Sequence, residues 1–211
     1  MGNKGVFWTL RFLRTKLFPW ELSSLGIRLS PYYVYQEGLF GRIQTEFDGE
    51  FKAYETCFLG VEDMKELHCI DGRADSEEKL CGRLNTGNKC FAIKLENRIV
   101  GFTWCDFEMF TYPPNWAFRL QENEAYLFDA YILKAYRGHK LAPFMRYRCY
   151  HELEKLGRNV FYSYSDYFNT PANRFKEKLN ARLLRFCLYI KLFNKFEWNL
   201  KLKSYFKNVS K

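Results

Sequence analysis

Residues 124–156, EAYLFDAYILKAYRGHKLAPFMRYRCYHELEKL, constrain the fold of this chain more than any other stretch. Ala125 to Leu133 is almost wholly apolar and rich in aromatic and β-branched residues, the composition of a central strand buried on both faces. Asp129 alone interrupts the run, and a carboxylate there must be solvated, paired or used. A basic turn, Lys134 to Lys140, follows and contains Arg137-Gly138. A helix then opens at Ala142-Pro143, where the N–H that proline lacks has no intrahelical partner to lose. Strand, basic turn and helix start together present backbone N–H groups, the positive end of a helix dipole and a guanidinium. That combination is an anion site suited to phosphate.

The rest of the chain reads as one folded body of about this size. Hydrophobic residues make up 47% and aromatics 19%, enough to bury a core across 211 residues. Glu50 to Leu59 reads as a first strand, Val61 to Cys69 as a short helix, and Ser76 as the N-cap of a helix that Gly87 closes. Phe91–Leu95 and Ile99–Asp106 form a hairpin around Glu96-Asn97-Arg98. Met109 to Gln121, with Pro113-Pro114, reads as an irregular excursion. Pro143 to Leu156 is a helix ended by Gly157, and Val160 to Ser165 the next strand. From Leu184 onward the period of two predicts two long antiparallel strands with one buried face. Residues 22–49 carry little pattern.

Charge and cysteine usage narrow the function classes. Lys and Arg number 33 against 24 Asp and Glu, a formal charge of +9, which favours an anionic partner. Seven cysteines without paired spacing argue against a disulfide framework and for a reduced, cytoplasmic setting. No spacing suggests a metal site, and no nucleic-acid recognition element is present, so neither metal nor nucleic acid is expected. Residues 6–20 have no run long enough to span a bilayer. Val6, Leu10, Leu13 and Leu17 share a helical face among basic and aromatic residues. Such a helix fits either a membrane interface, as a peripheral contact, or packing on the domain or a homodimer partner.

Two segments resemble one known family. Ile132-Leu133-Lys134-Ala135-Tyr136-Arg137-Gly138-His139-Lys140-Leu141-Ala142 resembles the acyl-CoA pyrophosphate loop of the GNAT N-acyltransferase superfamily, with Lys134 at the usual proline and Lys140 at the usual second glycine. Asn169 to Ala181, NTPANRFKEKLNA, resembles the family's Asn-x-x-Ala-x-x-Leu-Tyr-Glu-Lys-Leu-Gly-Phe signature, with Lys176 at the tyrosine. The resemblance implies an α/β (α+β) fold: a mixed, largely antiparallel central sheet flanked by helices and splayed at the cofactor strand. It divides the chain into an N-terminal basic amphipathic extension, 1–48, and an acyltransferase domain, 49–211.

It also implies a chemistry: transfer of an acetyl or other acyl group from acyl-CoA to an amine of a small-molecule or carbohydrate-like acceptor, by direct attack. The donor's diphosphate would lie on Arg137, Gly138, His139, Lys140, Leu141 and Ala142. The backbone of Tyr131, Ile132 and Leu133 would meet the thioester carbonyl, and Asn169 the pantetheine arm. Asp129 is the first candidate for general base, with pairing to an arginine or tyrosine as its structural alternative. Glu124 is a second, expected to be solvated. Lys176, expected to be solvated, and Tyr164 are candidates for the general acid. A non-catalytic acyl-CoA-binding or protein-interaction module on the same fold is the competing reading, because the lysines at the glycine and tyrosine positions, Lys140 and Lys176, would suit lost chemistry.

Overall fold

The computed structural model describes residues 26–40, 47, 51–70, 75–112 and 116–205. Residues 6–20 and Pro113-Pro114 lie outside that set. Eight strands form one sheet: β1 (Arg28–Glu37), β2 (Tyr54–Phe58), β3 (Lys89–Leu95), β4 (Arg98–Asp106), β7 (Glu124–Ile132), β8 (Val160–Asp166), β9 (Arg182–Leu192) and β10 (Phe196–Ser204). Their order is β10-β9-β1-β8-β7-β4-β3-β2. Every neighbouring pair is antiparallel except β7 and β8. A separate hairpin, β5 (Met109–Thr111) with β6 (Ala117–Arg119), occupies the expected excursion.

Among the described residues four α-helices flank the sheet: α1 (Met64–His68), α2 (Glu77–Asn85), α3 (Leu141–Lys155) and α4 (Thr170–Lys178). In α3, Leu141, Phe144, Met145, Cys149, Tyr150 and Leu153 recur at helical spacing and pack on Phe91, Ile93, Val100, Ala125, Leu127 and Phe161. On the opposite face, Met64, Leu67 and Leu80 from α1 and α2 cover Ala92, Phe102 and Trp104. Beside them the β5–β6 hairpin brings Phe110 onto Tyr32, Tyr126 and Tyr162.

Three expectations are corrected. The sheet does not begin after residue 48: β1 lies in its interior, hydrogen-bonded to β8 on one side and β9 on the other. Residues 22–49 show little pattern because Tyr32, Val34 and Tyr35 of β1 are all buried, and a strand covered on both faces loses its alternation. Second, β7 is buried from Glu124 to Leu127 and again at Ile132, whereas Phe128 to Tyr131 are half-buried or exposed. Third, β10 has no buried face. Phe196, Trp198, Leu200 and Leu202 are 44–49% exposed; β10 is the sheet's last strand, and no helix among the described residues covers it.

Candidate functional site

The parallel ladder between β7 and β8 has three rungs, Glu124 with Val160, Ala125 with Phe161 and Tyr126 with Tyr162. Past Tyr126 and Tyr162 the strands have no further pairing, so the sheet opens toward their C-terminal ends. The loss of exposure-matching burial in β7 beyond Leu127 has this cause. At the same level β7 carries a bulge. Phe102 pairs with Tyr131 and Trp104 with Phe128, so Asp129 and Ala130 together oppose Thr103. Asp129 takes φ of 49° there, and Thr103 Oγ1 donates 3.2 Å to the Phe128 carbonyl, replacing a ladder bond.

Leaving β7, the chain forms a short 3₁₀ turn, Lys134–Tyr136, and then the exposed run Arg137 to Lys140. Gly138 has φ of +89°, with open space where a Cβ would stand. Lys140 caps α3 in the left-handed conformation, φ 54° and ψ 14°. A lysine thus takes a left-handed backbone at the position where the resemblance places a glycine. The first N–H groups of α3 have no intrahelical acceptors. Arg137 Nε donates 3.0 Å to the Ile132 carbonyl, and its guanidinium lies 5.2 Å from the Tyr131 ring centroid. Arg137 is thereby folded back against the end of β7, between the loop and the gap. Of the three backbone positions expected at the thioester, Leu133 gives its N–H to Val100 at 2.9 Å. Strand alternation then turns Tyr131 the same way and Ile132 toward the β8 side.

Asp129 faces α2. Its Oδ2 accepts from Arg83 Nη1 at 2.9 Å, and Arg83 Nη2 lies 3.3 Å from Asp75. The Arg83 guanidinium sits 5.1 Å from the Trp104 ring and 5.7 Å from Phe128. Asp129 is thus an arginine-paired carboxylate, about one-fifth exposed. Next to it, Tyr126, Tyr164 and Tyr112 make an aromatic wall; the Tyr164 and Tyr112 rings stack at 3.5 Å. Burial, then Tyr112, pushes the Tyr164 hydroxyl up to about 12, so it is a protonated group at neutral pH.

Glu124 does not join them. It lies at the closed end of the β7–β8 pair, buried rather than solvated, accepting from Tyr162 Oη at 3.1 Å and the Gln121 N–H at 2.9 Å. Asn169 caps α4 by accepting from the Ala172 N–H at 3.2 Å.

Lys176 is also not solvated. It is 3% exposed and donates to Ser163 Oγ at 2.6 Å and to the Tyr164 carbonyl at 2.9 Å. These are the first two residues of β8 beyond its last rung with β7. Glu37, wholly buried, stands 3.5 Å from Lys176 Nζ and 3.4 Å from Arg146 Nε. Ser163 and Tyr150 donate to the same carboxylate. Arg146, 2% exposed, reaches across to Thr103 Oγ1 at 3.1 Å. It therefore spans from β1 to β4 beneath the two parting strands. Burial alone would raise Glu37, but Arg146 first and Lys176 next bring it down to about 2. Burial lowers Lys176 to about 8, partly offset by Glu37.

Sequence reasoning missed Glu37, Arg83 and Arg146. Arg146 left a signal: it falls at i, i+3, i+4 and i+7 spacing with Cys149, Tyr150 and Leu153 on the apolar face of α3. A charged residue in such a stripe needs a buried partner.

A largely antiparallel sheet whose two parallel strands part beside a helix-capping, basic loop defines the acyl-transferring class of α/β proteins. The chain belongs to the acetyltransferase (GNAT) family, whose sequence model matches residues 43–181. Its fold resembles a putative GNAT acetyltransferase from Novosphingobium aromaticivorans, at 18% identity and TM-score 0.51, covering 78% of this chain and 64% of that one. It also resembles a GNAT-family acetyltransferase from Colwellia psychrerythraea, at 12% identity and TM-score 0.55, covering 79% and 57%. A tandem GNAT protein of the clavulanic acid biosynthesis pathway matches at 12% identity and TM-score 0.54, covering 85% and 56%. The chain thus spans between about half and two thirds of each of these proteins. Comparison with curated proteins finds no match. Among the described residues, no cluster of three or more His, Cys, Asp or Glu could hold a metal ion, and no helix is long and apolar enough to cross a membrane.

Proposed function

We propose that this protein transfers an acetyl or other short acyl group from acyl-CoA to a primary amine on a small-molecule or carbohydrate-like acceptor. The observation that carries the reading is the early end of the β7–β8 ladder directly beside the Arg137–Ala142 loop. The loop's backbone N–H groups and the α3 dipole hold the diphosphate, with Arg137 and Lys140 adding charge. The gap takes the pantetheine arm, bordered by Asn169 at the start of α4 and by the Ile132 backbone on β7. Bound there, the donor supplies the activated acyl carbon.

The acceptor approaches from the α2 side, where the Tyr126–Tyr164–Tyr112 wall and the Asp129 bulge meet. Asp129 takes the proton that the amine loses, and Arg83 holds the carboxylate in place. Lys176 sits on the other side of the gap and gives a proton to the departing sulfur. As the C–N bond forms and the C–S bond breaks, one proton leaves the nitrogen and one reaches the sulfur, so the exchange balances. Direct attack fits these groups, because Cys105 and Cys149 are buried against each other at 3.8 Å and burial holds the Cys149 thiol far from ionisation.

The test is thiol release from acetyl-CoA across a panel of polyamines, aminosugars and amino acids, with the thermal shift from acetyl-CoA measured alongside. Release with at least one amine supports the reading. A thermal shift without release over the whole panel favours a non-catalytic acyl-CoA-binding module. No shift and no release refutes both. The basic segment 6–20 adds a peripheral membrane contact to the proposal, checked by co-sedimentation with anionic vesicles; a truncation beginning at Leu22 should abolish it.

A further inference from the structure

Three formally charged side chains, Glu37, Arg146 and Lys176, are buried together at 0–3% exposure, and they come from three elements. Buried charge of this kind is expensive unless fully paired and hydrogen-bonded. Replacing the trio by apolar residues of similar volume is often neutral or stabilising, so its presence calls for a use. β1, which supplies Glu37, lies wholly before the 43–181 segment that the family's sequence model matches. The counter-charge is therefore brought by a strand that precedes the segment matched by the family's sequence model, to a lysine standing where the resemblance places a tyrosine.

We propose that Glu37 and Arg146 are positioning residues for Lys176, holding its ammonium on β8 where the gap opens and making it the one member of the trio that releases a proton. This rests on the acyl-transfer reading for its use, though not for its geometry. Arginine does not deprotonate in proteins, and Glu37 is fixed as a carboxylate by Arg146, Ser163 and Tyr150. With Lys176 protonated the trio carries one excess positive charge. Loss of its proton leaves the buried group neutral. Among groups facing Nζ, β1 offers Glu37 and the Tyr35 ring at 4.8 Å, and β8 offers Ser163 Oγ and the Tyr164 carbonyl. Arg146 comes from α3, and Asn173 and Glu177 flank the lysine on α4. Asn173 accepts from Tyr35 Oη at 3.1 Å, which fixes β1 against α4. Among the described residues the only carboxylate touching Lys176 is the one shared with Arg146, so its charge balance is set by these two residues. The family's tyrosine needs no such arrangement, because a phenol is a neutral proton donor.

The deciding experiment follows the Lys176 side-chain nitrogen by NMR in the full-length, ligand-free protein, with Lys176→Arg identifying the signal. The expected midpoint lies near pH 8, and in Glu37→Gln it falls by about one pH unit or more, since a favourable negative charge is gone. The alkaline limb of kcat, with acetyl-CoA saturating, should move down by the same amount. At pH 9 this is about a tenfold loss of kcat relative to wild type, with KM for acetyl-CoA changed less than about twofold. A purely structural trio would lower stability without moving the limb. A wild-type midpoint near the ordinary 10.5 overturns the inference even if Glu37→Gln does not fold, and so does a midpoint that ignores Glu37→Gln. A responsive midpoint near 8 in a protein that releases no thiol defeats the acyl-transfer reading and leaves the coupling standing.

Discussion

Replacing Arg146 with Met tests the buried trio through stability. The substitution removes a 2% exposed guanidinium, its 3.1 Å bond to Thr103 and its 3.4 Å approach to Glu37. Glu37 keeps Lys176 at 3.5 Å and the hydroxyls of Ser163 and Tyr150. A carboxyl held at about 2 rather than 4.5 gives the folded state about 3 kcal/mol at neutral pH. Its sign follows from the depressed folded value: the contribution is complete above about pH 5 and is lost as pH falls toward 2. Removing one of two cations should return much of that, and the lost Thr103 bond adds about 1 kcal/mol. Relief of arginine desolvation works against both. Arg146→Met is thus expected to cost about 3 kcal/mol at pH 7, and the deficit should narrow by more than about 1 kcal/mol by pH 3. Urea unfolding of both proteins across pH 7 to 3 measures this. Other acid-sensitive groups such as Asp63 and Glu197 cancel in the difference. A deficit that stays constant over that range would refute the charge-based account of Glu37.

Other outcomes follow from single residues. Lys140→Gly removes a side chain from a left-handed position and should stabilise the ligand-free fold by up to about 1 kcal/mol while weakening acetyl-CoA binding through the lost charge; a fall in melting temperature would show that the lysine is not strained there. Asp129→Asn should lower kcat about a hundredfold or more and leave the acetyl-CoA thermal shift within a degree or so; equal activity at every pH would remove Asp129 as base. Glu124→Gln should lower stability by about 1–2 kcal/mol through its Tyr162 and Gln121 bonds and leave kcat unchanged, and a large kcat loss would contradict its placement at the closed end.

Much of the fold was legible because local chemistry and global architecture agree. Ser76 caps α2 and accepts from the Lys79 N–H as its spacing requires, and Glu96-Asn97 closes the β3–β4 hairpin with both residues left-handed. The helix after Arg137-Gly138 began where Pro143 allowed. What escaped was the part decided by distant packing. β1 looked weak because a strand covered on both faces loses its alternation, and its neighbours β8 and β9 come from more than a hundred residues later. Asp129 was visible as an interruption, but its partner Arg83 lies on helix α2, 46 residues away. Lys176 looked like a surface residue because lysine in a polar helix usually is one. Only Glu37, unmarked in the sequence, explains its burial.

The claim on which all of this depends is that the Arg137–Ala142 loop grips a diphosphate and the adjoining gap admits a thioester. A crystal structure with acetyl-CoA bound tests it most directly. The account predicts phosphate oxygens against the backbone nitrogens of residues 138–142, and the pantetheine arm lying between Phe128–Ile132 and Ser163–Asp166 with its sulfur within reach of Lys176 Nζ. Acetyl-CoA bound elsewhere, or β7 and β8 closed by further ladder bonds with the ligand excluded, would contradict it.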